Sequence, residues 1–185
     1  INEFREAGIN PRWVHTSNSA GLSKIAPGLV TAARSGIALY GLNPLEESDP
    51  FYNQYEQLQP VLSLETFLTH VRTIKPGEHA GYGNTFTADN EMTIGTVPVG
   101  YYEGVPRLMS NVGVCATKEG MSAPIVGRVS MNLITIDITN SGLHVGDPIL
   151  IYSPSASVQE NAKKAGTISY ELTTNLKPHL PRVIV

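Results

Sequence analysis

The chain has 185 residues, enough for one domain of ordinary size, or for one domain and part of another. Thirteen lysines and arginines against 16 acidic residues give a formal net charge of -3 and a pI of 5.9, which excludes a basic nucleic-acid footprint. The single cysteine, Cys115, has no partner for an internal disulfide, and no apolar run approaches the roughly 20 residues of a membrane helix, so a reducing, cytoplasmic setting is expected.

In chain order, residues 1–7 have helical character and Gly8 is a suitable stop. Trp13, Val14 and His15 predict a short strand, and residues 17–21 (SNSAG) a small polar loop. A helical turn is expected around residues 22–25, ended by Pro27, and residues 29–33 form an apolar run broken by Arg34, Ser35 and Gly36. Residues 37–40 predict a second strand. Strand, loop, helix and strand at these spacings suggest βα units of a parallel α/β structure. Residues 45–60 are polar and acidic, carry Pro50 and Pro60, and are the best candidate for a domain boundary.

From residue 61 the texture changes. Residues 61–74 alternate with period two, which predicts one strand with a bulge near Glu65 and Thr66. Residues 75–78 (KPGE) predict a turn. Further strands are expected at 92–99, 123–129, 133–138 and 148–152, with a turn at 145–147. Helices are expected at 158–165 and 167–176, and a closing strand at 182–185. Short strands at this spacing suggest an all-β barrel or sandwich. The central stretch is 78–104, where Tyr82 and Tyr101 each follow a glycine and flank the strand at 92–99. A tyrosine between Gly81 and Gly83 is held out by its own backbone, because its neighbours permit positive φ and add no side chain to bury the ring.

Seven segments carry a further pattern: HTSNSAG (15–21), ARSGIALYG (33–41), GYGNTF (81–86), TVPVGYYEGVPR (96–107), APIVGRVSMN (123–132), GTISYEL (166–172) and LPRV (180–183). In order and spacing they resemble the carboxy-terminal half of the alanine racemases, fold-type III enzymes that use pyridoxal 5'-phosphate (PLP). The resemblance implies an α/β tail of a (β/α)8 barrel over residues 1–58, followed by a mostly-β, barrel-like domain over residues 59–185. It implies interconversion of L- and D-alanine by two-base proton transfer on PLP-bound substrate, supplying D-alanine for peptidoglycan. It also implies a homodimer with shared active sites. No segment resembles the family's PLP-binding lysine motif, so the chain is expected to be the carboxy-terminal part of a longer protein. A racemase for serine or another small amino acid, and a non-catalytic assembly module, remain open alternatives.

The resemblance also assigns roles. Ser19 is implied to bind the cofactor phosphate, with backbone N–H groups from Gly36 and Ile37 and the hydroxyl of Tyr170. From residue types alone, the same loop reads as an ordinary polar turn. Arg34 is implied to donate to the pyridine nitrogen, where a permanent cation disfavours a second positive charge; otherwise it is a surface arginine. Tyr82 is implied to be one of the two bases, acting in the partner subunit's site. A free phenol has a pKa of about 10, so this role needs neighbouring cations or donors. Tyr101 is implied to stand at the substrate entrance, with Arg107 and Arg128 nearby, and Met131 to contact the substrate carboxylate. Methionine is also a common core filler. Asn132 departs from the family pattern, in which an acid follows the methionine.

Overall fold

The structure, a computed structural model, describes residues 1–25, 28 and 30–185. The chain divides into two compact units, Ile1–Val61 and Leu62–Val185.

The first unit opens on helix α1, Asn2–Glu6, closed by Gly8 at φ +78°, whose N–H donates to the Arg5 carbonyl. The strand expected at 13–15 is reduced to one parallel bridge between His15 and Ala32. It is held by the Thr31 and Ala32 N–H groups donating to the Val14 carbonyl, at 2.8 and 3.2 Å. The expected helical turn is a 3-10 turn at Leu22–Lys24. Pro27, the expected stop, and Leu29, at the head of the expected apolar run, lie outside the described residues.

The second strand expected at 37–40 is not a strand. Ile37–Tyr40 is a 3-10 turn, with Leu39 N–H bonded to the Gly36 carbonyl and Gly41 N–H to the Ala38 carbonyl. The Ser19 hydroxyl captures the amides of Gly36 and Ala38, an option for the backbone that the residue pattern does not advertise. Residues 45–60 pack onto this unit. Lys24 Nζ meets Asp49 Oδ2 at 2.5 Å, and the Tyr55 hydroxyl donates to the Ser19 carbonyl at 2.6 Å. The Lys24 hydrogen bond, with the Phe51 N–H second, holds the Asp49 carboxyl below its usual pKa. Among the described residues of this unit the buried hydrophobic side chains are Ile37 and Leu42, while Phe4, Ile9, Trp13 and Leu39 are exposed.

The second unit is mostly β. Its strands are β1 (Leu64–Phe67), β2 (His70–Ile74), β3 (His79–Ala80), β4 (Phe86–Thr87), β5 (Met92–Val97), β6 (Val114–Thr117), β7 (Ser122–Pro124), β8 (Ile134–Asp137) and β9 (Pro148–Tyr152). They form three antiparallel sheets, ordered β1-β9-β6-β7, β2-β5-β8 and β3-β4. These strand orders are open, so the expected barrel-like closure is replaced by separate sheets among the described residues.

The single strand expected at 61–74 is two strands in different sheets. Leu68 breaks it, being fully buried and bonded through its N–H to the Asp147 carbonyl and through its carbonyl to the Gly146 N–H. The register irregularity falls at Leu64/Glu65, one residue before the expected bulge. Helices α2 (Val158–Lys164) and α3 (Ser169–Thr174) follow β9, close to expectation. The buried Asn161 of α2 ties it to β6, accepting from Val114 N–H and donating to the Val114 carbonyl. The closing strand expected at 182–185 is absent: these residues have no regular structure and pair with no strand among the described residues, and Val183, Ile184 and Val185 are exposed.

Alternation places the core. In β8, Ile134 and Ile136 are buried while Thr135 and Asp137 are half-buried. Ile74, Ala80, Ala88, Ile94 and Val126 form one cluster, with Phe86 and Met92 packed against it. Cys115 is fully buried in β6, and burial pushes its thiol up to about 12. Thiolate is the reactive form. Cys115 is therefore expected to resist iodoacetamide in the folded protein and to react on unfolding, which mass spectrometry of the alkylated peptide reads directly. No helix among the described residues is long and apolar enough to cross a membrane.

Candidate active site

The sequence-predicted residues fall into two groups, one in each unit. In the first unit the Ser19 hydroxyl accepts from Gly36 N–H at 2.8 Å and from Ala38 N–H at 3.3 Å, and lies 3.4 Å from the Ser35 hydroxyl. Ile37 heads the 3-10 turn and is buried. Two residues before Ser19, the Ser17 hydroxyl is buried without a hydrogen-bond partner, although its own carbonyl accepts from Arg34 N–H. Buried polar atoms are nearly always paired, so an orphaned hydroxyl two residues from Ser19 suits a polar ligand. Hydroxyl and amide donors of this kind match an anionic phosphate.

Arg34 Nη1 stands 2.5 Å from His15 Nδ1 and 3.2 Å from the His15 carbonyl. A guanidinium only donates, so Nδ1 is the acceptor and the ring hydrogen sits on Nε2. The remaining guanidinium donors are left over for a ring nitrogen. This donor set fits the phosphate and pyridine ends of PLP. His15 is a residue that sequence reasoning passed over, whereas Ser17 lies in the polar loop it singled out. His15 heads the HTSNSAG segment, and the signal for it was its place at the end of the strand-like run 13–15, where the polar loop begins.

In the second unit β3 and β4 form a two-stranded hairpin, pairing His79 with Thr87 and Ala80 with Phe86. Sequence reasoning missed this hairpin because each strand is two residues long. Its tip is the 3-10 turn Tyr82–Asn84, with Gly81 at φ +74° and Gly83 at φ +72°. The tip leaves Tyr82 72% exposed, as the glycine spacing predicted. Gly83 faces the Arg128 guanidinium, whose Cζ would lie 3.6 Å from a Cβ at that position, so a cation stands beside the turn.

Asn111 braces the hairpin from below. Its amide nitrogen donates to the Thr85 carbonyl, at 3.3 Å, and its Oδ1 accepts from Gly127 N–H at 2.6 Å.

Tyr82, Tyr101, Arg107 and residues 129–133 line one concavity of about 450 Å3. Tyr101 N–H donates to the Ser130 carbonyl at 3.1 Å, and Tyr102 N–H to the Met131 carbonyl at 2.9 Å. These bonds seat the loop after β5 against the loop before β8. Met131 is exposed at the rim, not buried as a core filler. Val129, fully buried, forms the floor, its N–H donating to the Ser110 hydroxyl. Tyr170 lies on α3, exposed, and is not among the residues lining this concavity. Among the described residues no cluster of His, Cys, Asp or Glu could hold a metal ion.

Residues 61–184 match the family described as alanine racemase, C-terminal domain, and residues 1–44 match alanine racemase, N-terminal domain. The alanine racemase of Streptococcus thermophilus strain LMG 18311 is 39% identical over 176 residues, covering 93% of this chain and 46% of that protein. Among solved structures, the alanine racemase of Streptomyces coelicolor A3(2) superposes with a TM-score of 0.87 at 28% identity, covering 98% of this chain and 48% of that one. The alanine racemase of Bartonella henselae, described with covalently bound pyridoxal phosphate, superposes with a TM-score of 0.81 at 28% identity, covering 100% of this chain and 50% of that one. The chain thus spans about half the length of the relatives it matches.

Proposed function

The chain belongs to the alanine racemase family, and from that premise we propose that it forms the carboxy-terminal half of a PLP-dependent alanine racemase interconverting L- and D-alanine. The observation that carries the reading is the exposed Tyr82, held at a hairpin tip in one concavity with Tyr101, Arg107 and Met131. An assembly module needs no such grouping. Residues 1–58 are the end of a (β/α)8 barrel and residues 59–185 the β-rich domain. The parallel bridge at His15 and the exposed Phe4, Ile9, Trp13 and Leu39 support further barrel layers against the first unit. The protein acts in the cytoplasm and supplies D-alanine for peptidoglycan.

Ser19, Gly36 and Ile37 would hold the phosphate of PLP, Tyr170 would supply a phosphate-binding hydroxyl, and Arg34, oriented by His15, would donate to the pyridine nitrogen. When bound, the cofactor supplies the electron sink that acidifies the substrate Cα–H. Arg34, a permanent cation, would disfavour a second positive charge at the ring nitrogen. The Tyr82 hydroxyl exchanges the Cα proton on one face of the substrate. Met131 contacts the substrate carboxylate, Arg107 draws that carboxylate in, and Tyr101 narrows the entrance and excludes water. Tyr82 works in the site of a second subunit, so the enzyme is a homodimer.

Mixing full-length Tyr82→Phe subunits with full-length Arg34→Ala subunits tests this arrangement. If the two residues meet across a dimer, each mixed dimer regains one intact site, and random re-pairing restores about a quarter of wild-type racemisation under twofold symmetry. If mixtures stay as inactive as the parents while the subunits exchange, the shared-site arrangement fails. A wild-type protein that does not racemise alanine would refute the function itself.

A further inference from the structure

We propose that Glu103 and Asn132 act as a matched clamp that sets the spacing between Tyr101 and Met131, and so the width of the substrate mouth. The inference rests on the racemase reading of that concavity. Glu103 reaches in two directions. Its Oε2 accepts from Gly100 N–H at 2.8 Å, and its Oε1 accepts from the Asn132 side-chain amide at 2.8 Å. One carboxylate thus joins the loop that carries Tyr101 to the loop that carries Met131.

The surrounding contacts define what the clamp governs. Tyr101 and Tyr102 N–H groups donate to the Ser130 and Met131 carbonyls, and Ser130 N–H donates to the Leu133 carbonyl. The two loops meet with little slack: a Cβ on Gly100 would lie 2.2 Å from the Ser130 oxygen and 2.5 Å from the Met131 oxygen. The Glu103 N–H returns to the Gly100 carbonyl, and the Glu103 carbonyl accepts from Lys177 N–H, so the residue is fixed at its backbone as well. Asn132 is exposed at the rim beside Met131 and lines the same concavity.

This geometry accounts for Asn132. An ionised carboxylate accepts hydrogen bonds and cannot donate them. An acid at 132 would place two carboxylates at hydrogen-bond distance and drive the loops apart. The amide turns that contact into a charge-assisted hydrogen bond. Residue 132 and residue 103 therefore have to be read together: one must donate where the other accepts. Both are positioning residues, acting on Tyr101 and Met131 through the backbone of their loops.

The test uses the full-length enzyme and three variants: Asn132→Asp, Glu103→Gln and the double variant Glu103→Gln/Asn132→Asp. The double variant swaps donor and acceptor, since the introduced glutamine would present its oxygen to Gly100 N–H and its amide to the introduced aspartate. Asn132→Asp is expected to raise KM for alanine about three- to tenfold with a smaller change in kcat, since the pair is partly solvent-screened. It is also expected to speed amide exchange at Gly100. The swap is expected to return both KM and exchange to within about twofold of wild type, a rescue that a generic packing role would not produce. The clamp is overturned if Asn132→Asp leaves KM and Gly100 exchange unchanged, or if the double variant is as impaired as the two single effects combined. The exchange readout needs no turnover. Loss of protection in Asn132→Asp with rescue by the swap, in a wild-type protein that fails to racemise alanine, would keep the clamp and sink the racemase reading instead.

Discussion

Replacing Tyr82 with Phe in the full-length protein is expected to slow racemisation of L- and D-alanine alike by about 10²–10⁴-fold, the usual contribution of a positioned acid–base group. A proton carrier on one face serves as base for one enantiomer and as acid for the other, so neither direction is spared. The substitution removes one oxygen from a ring that is 72% exposed at a hairpin tip. It opens no cavity, and surface changes of this kind lie within about 0.5 kcal/mol, so the thermal midpoint should stay near wild type. Unchanged stability with lost turnover separates a chemical role from a structural one. Near-wild-type rates in both directions would show that Tyr82 moves no proton.

The second large effect is structural. Gly127→Ala is expected to destabilise the protein by about 2–5 kcal/mol, the sum of left-handed strain and overpacking. Gly127 sits at φ +81°, and a Cβ there would lie 2.4 Å from the Ala80 carbonyl oxygen and 2.9 Å from its carbon. Both are backbone atoms of β3, so no side chain can swing aside. The position also carries the N–H that Asn111 accepts, and it precedes Arg128, whose amide nitrogen crowds Gly81. A shift at Gly127 therefore reaches the Tyr82 turn. Gly142→Ala is the matched control. Gly142 also has positive φ, +70°, but nothing lies within 4 Å of its added Cβ. Its cost should be the backbone strain alone, about 1–2 kcal/mol. Denaturant titrations of the two variants decide the matter, and equal losses would show that the contact with β3 carries no weight. A loss of 2–5 kcal/mol is a large share of the 5–15 kcal/mol typical of a folded domain.

The second unit's β9, its two helices and the Lys75-Pro76-Gly77-Glu78 turn are all visible as local patterns, because alternation and turn chemistry act over a few neighbours. The errors share a cause. Residues 37–40 read as a strand until the Ser19 hydroxyl, 17 residues upstream of Gly36, takes the amide that a strand would have paired. Residues 61–74 read as one strand until Leu68 bonds across to Gly146 and Asp147 and turns the chain into a second sheet. Residues 182–185 have strand-like composition and pair with no strand among the described residues. In the first two cases the deciding partner is distant in sequence, and in all three β-propensity is settled by what a segment packs against.

The same division runs through the candidate site. The exposure of Tyr82 is written in the chain by its flanking glycines, since positive φ at Gly81 and Gly83 is a local property of residues without a Cβ. The family to which the chain belongs is likewise legible from ordered segments. Proximity is not written there. That Tyr82, Tyr101, Arg107 and Met131 share one concavity depends on β3 pairing with β4, β5 pairing with β8, and the Tyr101 loop hydrogen-bonding to the loop before β8. The pairing of Glu103 with Asn132 belongs to the same class, 29 residues apart and unmarked by any local pattern. Local dihedral preference and periodicity are properties of neighbouring residues, so the sequence determined them by itself. Long-range register is chosen by burial and hydrogen-bond satisfaction over the whole β unit, and only the tertiary structure decided it.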